Sequence, residues 1–120
     1  MFYSLYINEV DMKLLVVGSR SIENFDLSKH IPKEVSLIIS GGAKGADTLA
    51  ENYADKHGIS KLVLRPNYSV YGKAAPIIRN KQMVDICDTV LVIWDGKSRG
   101  TKYTIEYAKK CGKQFTLVIL

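Results

Sequence analysis

An α/β domain built on a five-stranded, mainly parallel sheet is the fold class that the sequence predicts, and three observations predict it. Apolar runs rich in β-branched residues alternate with helical patterns along almost the whole length. The runs are nearly continuous in their hydrophobicity, as expected of strands covered on both faces. Glycine-rich turns follow several of them at the point where a helix begins.

In chain order the expected strands are Lys13–Gly18, Val35–Ser40, Lys61–Arg65, Thr89–Trp94 and Gln114–Ile119. Helices are expected near Glu23–His30, Ala46–His57, Ala74–Cys87 and Thr101–Cys111. The second helix has the clearest pattern: Ala46, Leu49, Ala50, Tyr53 and Ala54 share one face, and Gly58 stops it. Its alanine stripe permits close approach to the sheet and brings its N-terminus down to the strand ends. Asn80 is expected on a core face with Ile77, Val84 and Cys87, where a polar side chain requires a partner, either backbone or ligand.

With 120 residues the chain is expected to form one domain over residues 13–120, preceded by an extension, residues 1–12. Met12 lies directly before the first strand, so it offers an alternative start. The apolar runs are far shorter than the roughly 20 residues that span a bilayer, and residues 1–11 lack the pattern of a secretory signal. A soluble cytoplasmic protein with no membrane partner is expected. Cys87 and Cys111 stand apart, with His30 and His57 the chain's histidines, so the expectation is no metal, no cofactor and two reduced core cysteines. The net charge of +5 favours anionic partners.

Ligands of parallel α/β sheets bind beyond the carboxyl ends of the strands. Loop one there is Gly18-Ser19-Arg20, and loop two is Ser40-Gly41-Gly42-Ala43-Lys44-Gly45, with Ala46 and Asp47 opening the next helix. Three glycines in five residues let backbone amides approach an anion at a helix N-terminus, so loop two reads as a phosphate cradle. It matches neither the dinucleotide fingerprint nor the Walker A loop, and a tight turn with close helix packing is the alternative. Loop four carries Asp95, Ser98, Arg99, Gly100 and Thr101 at another helix start. Amides of residues 41–46 and 99–101 are expected to converge on one anion pocket. Arg20 can make a bidentate contact to phosphate, and Asp95 either orients a ribose hydroxyl or caps its turn. Tyr68 and Tyr71 either stack on a base or plug the surface. His57 is assigned a structural role at a helix end.

These residues resemble the SLOG superfamily, which unites the DNA-processing protein A (Smf) proteins with the LOG lysine decarboxylase-like nucleotide enzymes. Val17-Gly18-Ser19-Arg20 and Ile39-Ser40-Gly41-Gly42-Ala43-Lys44-Gly45-Ala46-Asp47 look like the first two ligand loops of the DNA-processing branch. Tyr71-Gly72-Lys73-Ala74-Ala75, Arg79-Asn80, Met83, Trp94-Asp95-Gly96 and Ser98-Arg99-Gly100-Thr101 look closest to the small YspA-like branch of bacteria and phages. The resemblance spans about Lys13 to Phe115. It implies a three-layer Rossmann-like fold and a nucleotide-derivative site, with Gly41, Gly42, Gly45, Gly100 and Thr101 at phosphate-binding positions.

The resemblance does not supply a reaction. Where the LOG enzymes place a glutamate three residues after Gly-Thr, this chain has Thr104, and Glu106 points elsewhere by helix geometry. The expected function is therefore a sensor or carrier of a nucleotide-like small molecule, bound through Gly18, Ser19, Arg20, Ser40, Gly41, Gly42, Gly45, Ala46, Asp47, Arg79, Asn80, Asp95, Ser98, Gly100 and Thr101. One alternative is a phosphoribohydrolase-type N-glycosidic hydrolase, with Arg79 and a carboxylate such as Asp95, Asp47 or Glu106 as catalytic candidates. Another is binding of single-stranded DNA, suggested by the basic balance. Dimerisation is common in the superfamily, so a homodimer is within expectation.

Overall fold

The computed structural model describes residues 12–120, and the expected extension lies outside the described residues except for Met12, which opens the first strand. Five strands, β1 (Met12–Gly18), β2 (Val35–Ser40), β3 (Ser60–Val63), β4 (Thr89–Trp94) and β5 (Gln114–Ile119), form one sheet in the order β3-β2-β1-β4-β5. Every neighbouring pair is parallel. Central β1 registers Leu15 against Ile39 of β2 on one side and Val90 of β4 on the other.

Three long helices, α1 (Ala46–His57), α2 (Ala75–Ile86) and α3 (Arg99–Lys110), complete a three-layer α/β domain of Rossmann-like form. On one face Leu14, Val16, Ile38, Leu91 and Ile93 pack against Ala46, Ala50 and Ala54 of α1. On the other, Leu15, Val17, Ile39, Val90 and Val92 pack against Met83 and Val84 of α2 and Ile105 and Ala108 of α3. The small residues of α1 seat the helix close to the sheet, as its stripe predicted. Gly58, at φ 65°, ends it in the left-handed conformation. The rings of Tyr53 and His57, one turn apart, meet at 4.1 Å near that end. Among the described residues no helix is long and apolar enough to cross a membrane.

Four local expectations are corrected. The helix expected at Glu23–His30 is a single 3-10 turn, Leu27–Lys29. The Asp26 carboxylate accepts the Ser28 amide at 2.9 Å, offering the backbone a turn in place of a helical bond, while Leu27 and Ile31 are drawn onto the core. The third strand begins and ends earlier than expected, and the loop after it holds a helical turn, Tyr68–Tyr71, capped by the Asn67 side chain. The buried row of α2 is Ala75, Arg79, Met83 and Val84, whereas Ile77 is exposed. Arg79, not Asn80, is thus the polar residue most deeply set in that helix. Finally, Cys87 is a core residue whose thiol burial pushes up to about 11, but Cys111 is exposed at the end of α3.

Candidate functional site

Beyond the carboxyl ends of β1, β2 and β4 lies a cleft of about 490 Å³. Its wall brings together residues distant in sequence: Gly18 and Arg20 from loop one, Asp47 from α1, Arg79 and Asn80 from α2, and Asp95, Ser98, Gly100 and Thr101 from loop four and α3. Loop two contributes Ala43 alone, so loops one, two and four meet at one cavity at one end of the sheet. Ser19, Ser40, Gly41, Gly42, Gly45 and Ala46 do not line it and sit behind its wall.

Those residues build the wall. Gly18 is where α1 meets the sheet: a Cβ there would lie 2.6 Å from Ala46 Cβ and would overlap the Ile93 carbonyl oxygen. Gly45, at φ 76°, passes so close to the backbone of Ser19 and Arg20 that no side chain fits. The Ser40 hydroxyl donates to Glu51 at 2.6 Å. Ser19 Oγ accepts the Asp95 amide at 2.9 Å and joins loop one to loop four.

Loop two is closed upon itself by charged side chains of the protein. The Arg79 guanidinium, only 7% exposed, donates from Nη1 to the carbonyls of Gly41 and, at 3.1 Å, Leu64. Arg65 reaches the Gly42 carbonyl at 3.1 Å. On the other side of the loop the Asp47 carboxylate accepts the Ala43 amide at 3.0 Å, and the Gly41 amide also favours its ionised form. The Ala46 amide is bonded to the Ser19 carbonyl at 3.3 Å. The amides of loop two are thus partly occupied, and the negative charge at the start of α1 is supplied by Asp47 itself.

The cleft floor carries one continuous polar chain. Arg79 Nε donates to Asn80 Oδ1 at 2.7 Å, Asn80 Nδ2 donates to Thr104 Oγ1 at 2.9 Å, and that hydroxyl donates to the Gly100 carbonyl at 2.9 Å. Asn80's required partner is a side chain, supplied by Thr104. The residue that stands at the LOG glutamate position is fully buried and ties α2 to the first turn of α3. Glu106 faces a separate groove with Lys81, Tyr103, Tyr107 and Lys110.

Loop four is shaped by Asp95, whose Oδ1 accepts the amides of Lys97 and Ser98 at 2.8 and 2.9 Å while Oδ2 accepts the Ser21 hydroxyl. Those amides hold its carboxyl down at about 2. Ser98 then caps α3 through Thr101, and the Trp94 indole donates to the Ser98 carbonyl at 3.0 Å. The charges inside the cleft behave differently. Burial raises the pKa of Asp47, opposed by the Ala43 amide and the Arg79 charge; burial lowers that of Arg79, opposed by Asp47.

Sequence reasoning missed Val17, Ser21, Ala43, Pro76, Met83 and Thr104 as cleft-lining residues. Ser21 and Ala43 carried a signal, since each adjoins a residue singled out in loop one or loop two. Pro76 and Met83 lie on α2 on the side of Arg79 and would have followed from placing that arginine on the buried row. Tyr68 and Tyr71 are exposed and are not among the cleft-lining residues.

The profile of the YspA, cpYpsA-related SLOG family (YAcAr) matches residues 12–71, which take in β1, β2 and β3 with loops one and two but not loop four. The chain is also similar to the Gene 61 protein of Mycobacterium phage D29, with 30% identity over 82 residues, covering 63% of this chain and 66% of that protein. This chain thus spans just under two thirds of the relative's length. No solved structure matches significantly. On the match to half of its length, the chain belongs to the YspA, cpYpsA-related SLOG family.

Proposed function

We propose that the cleft binds a nucleotide-derived phosphate ligand, as a sensor or carrier. The observation that carries this reading is the arrangement of the wall: Arg20, Asn80 and the first turn of α3 surround one cavity, with a second arginine, Arg79, fixed beneath them. Because Asp47 takes up amides of loop two and Ser98 that of Thr101, the phosphate belongs against Gly100 and the exposed guanidinium of Arg20. Asn80 and the rim of loop four are left for the sugar or base.

Thermal unfolding in the presence of inorganic phosphate, nucleoside mono- and diphosphates, cyclic nucleotides and ADP-ribose tests this. A ligand at about 100 times its Kd is expected to stabilise the fold by about 2.7 kcal/mol. Arg20→Ala is expected to remove most of that shift while leaving the unliganded midpoint unchanged, since Arg20 is exposed. No shift with any of these compounds would overturn the reading.

A second reading, hydrolysis of an N-glycosidic bond, is favoured by one observation: Asp47 lines the cleft beside Arg79 with its carboxyl pKa raised by burial. It predicts release of free base from a nucleoside monophosphate, lost in Asp47→Asn.

A further inference from the structure

Strand β5 borders the sheet, and among the described residues nothing pairs with its outer side. The direction of its backbone groups is fixed by the ladder to β4. The Leu120 amide donates to the Trp94 carbonyl at 2.9 Å, and the Gln114 carbonyl accepts the Thr89 hydroxyl, so the even-numbered residues turn inward. By the alternation of a strand, the N–H and C=O groups of Phe115, Leu117 and Ile119 turn outward. The side chains there are apolar and open: Leu117 is 39% exposed and Ile119 61%. Residues 114–120 carry no charged side chain in a chain whose net charge is +5. Lys113, which precedes them, is folded back to the Cys87 carbonyl at 2.7 Å.

The other edge contrasts with this one. Strand β3 is four residues long and carries Lys61, paired with Asp55 at 2.9 Å, with Arg65 close beyond it. Short length and charge are the usual protection of a sheet edge, and β5 has neither.

We infer that β5 is a self-complementary dimerisation edge, which pairs antiparallel with β5 of a second copy about a twofold axis at Leu117. In that register Leu117 faces its own counterpart and Phe115 faces Ile119, all three being residues whose amides point outward. The pairing makes about six new backbone hydrogen bonds. Apolar pairs form on one face, and Thr116 opposite Val118 forms the β-branched pairs of the other. The same patch on both partners satisfies the twofold symmetry of an isologous interface. Two copies of equal positive charge can approach closely along this uncharged run, and pairing joins their sheets into one. The interface is independent of the cleft and of any ligand.

Sedimentation equilibrium of the full chain at micromolar concentrations provides the test, with a monomer–dimer equilibrium expected. Proline at 117 removes an outward amide but no bond to β4, so Leu117→Pro should weaken dimerisation at least about tenfold with the monomer still folded by circular dichroism. Leu117→Lys places two ammonium groups at the axis and should weaken it in a manner partly relieved by salt. A monomer at every concentration would overturn the inference, as would a dimer that both variants leave intact. So would a monomer whose β5 amides lose protection from hydrogen exchange only when residues 1–11 are removed, since the chain would then cover its own edge.

Discussion

Gly18→Ala is expected to lower stability by about 3 kcal/mol, read as an unfolding midpoint lower by more than about 10 °C. The added methyl has no room to move into: it would meet the Ile93 carbonyl and Ala46 Cβ, one in the central sheet and the other on the first residue of α1. Both neighbours are backbone or backbone-fixed, so relief requires β1 and β4 to part at Gly18 and α1 to lift away from the sheet. That displacement also opens the cleft, because α1 carries Asp47 into its wall and Gly18 lines it. Gly100→Ala is the control. A Cβ at Gly100 meets nothing, its φ is not positive, and it lies within α3, so alanine there should stabilise by about 0.5 kcal/mol. Gly100 nevertheless faces the cleft. If a phosphate rests against the backbone of α3, Gly100→Ala should combine a raised midpoint with a reduced ligand-induced shift. Equal tolerance of alanine at positions 18 and 100 would show that α1 is not held against the sheet by the absence of a side chain.

Those two glycines illustrate what could be read from the chain. The central strands β1, β2 and β4 were legible because buried parallel strands are continuous apolar runs, the edge strands β3 and β5 from their alternation with helices, and α1 because its alanines repeat at helical spacing. The convergence of loops one, two and four followed from topology alone, since a parallel sheet gathers the loops after its strands at one end. The purpose of the glycines in loop two was not legible. Spacing says that backbone must come close to something, but not whether that something is a ligand or, as at Gly41, the Arg79 guanidinium and the Asp47 carboxylate. Arg79 itself was read as a candidate ligand residue, yet its burial depends on carbonyls 38 and 15 residues earlier in the chain, which no local pattern reveals. The false helix at Glu23–His30 failed for a local reason: one aspartate side chain competed successfully for the amide two residues on.

Asp47→Asn is expected to raise the stability of the protein at neutral pH. Asp47 is 7% exposed in the first turn of α1, and burial is the largest influence on its carboxyl, outweighing the Ala43 amide, the Arg79 charge and the Gly41 amide. Its pKa in the fold therefore lies above the ordinary 3.8. Below 3.8 the group is protonated whether the chain is folded or not, and it contributes no pH dependence. As pH rises past 3.8 the unfolded chain releases the proton first, so stability falls until the folded group ionises too, and the loss is then fully present. Asparagine retains an oxygen to accept the loop amides and removes this loss, so the unfolding midpoint of Asp47→Asn should exceed that of the parent chain at pH 7 and coincide with it in acid. A lower midpoint at pH 7 would mean that the amides and Arg79 hold the carboxylate more strongly than burial penalises it. A carboxyl whose pKa is raised by burial inside a ligand-sized cleft is a candidate functional group. The stabilised variant should accordingly lose either the response to ligand or the release of base. If it keeps a full ligand response and no hydrolysis is found in the parent chain, Asp47 is an internal anion that pins loop two, and recognition rests on Arg20, Asn80 and α3 alone.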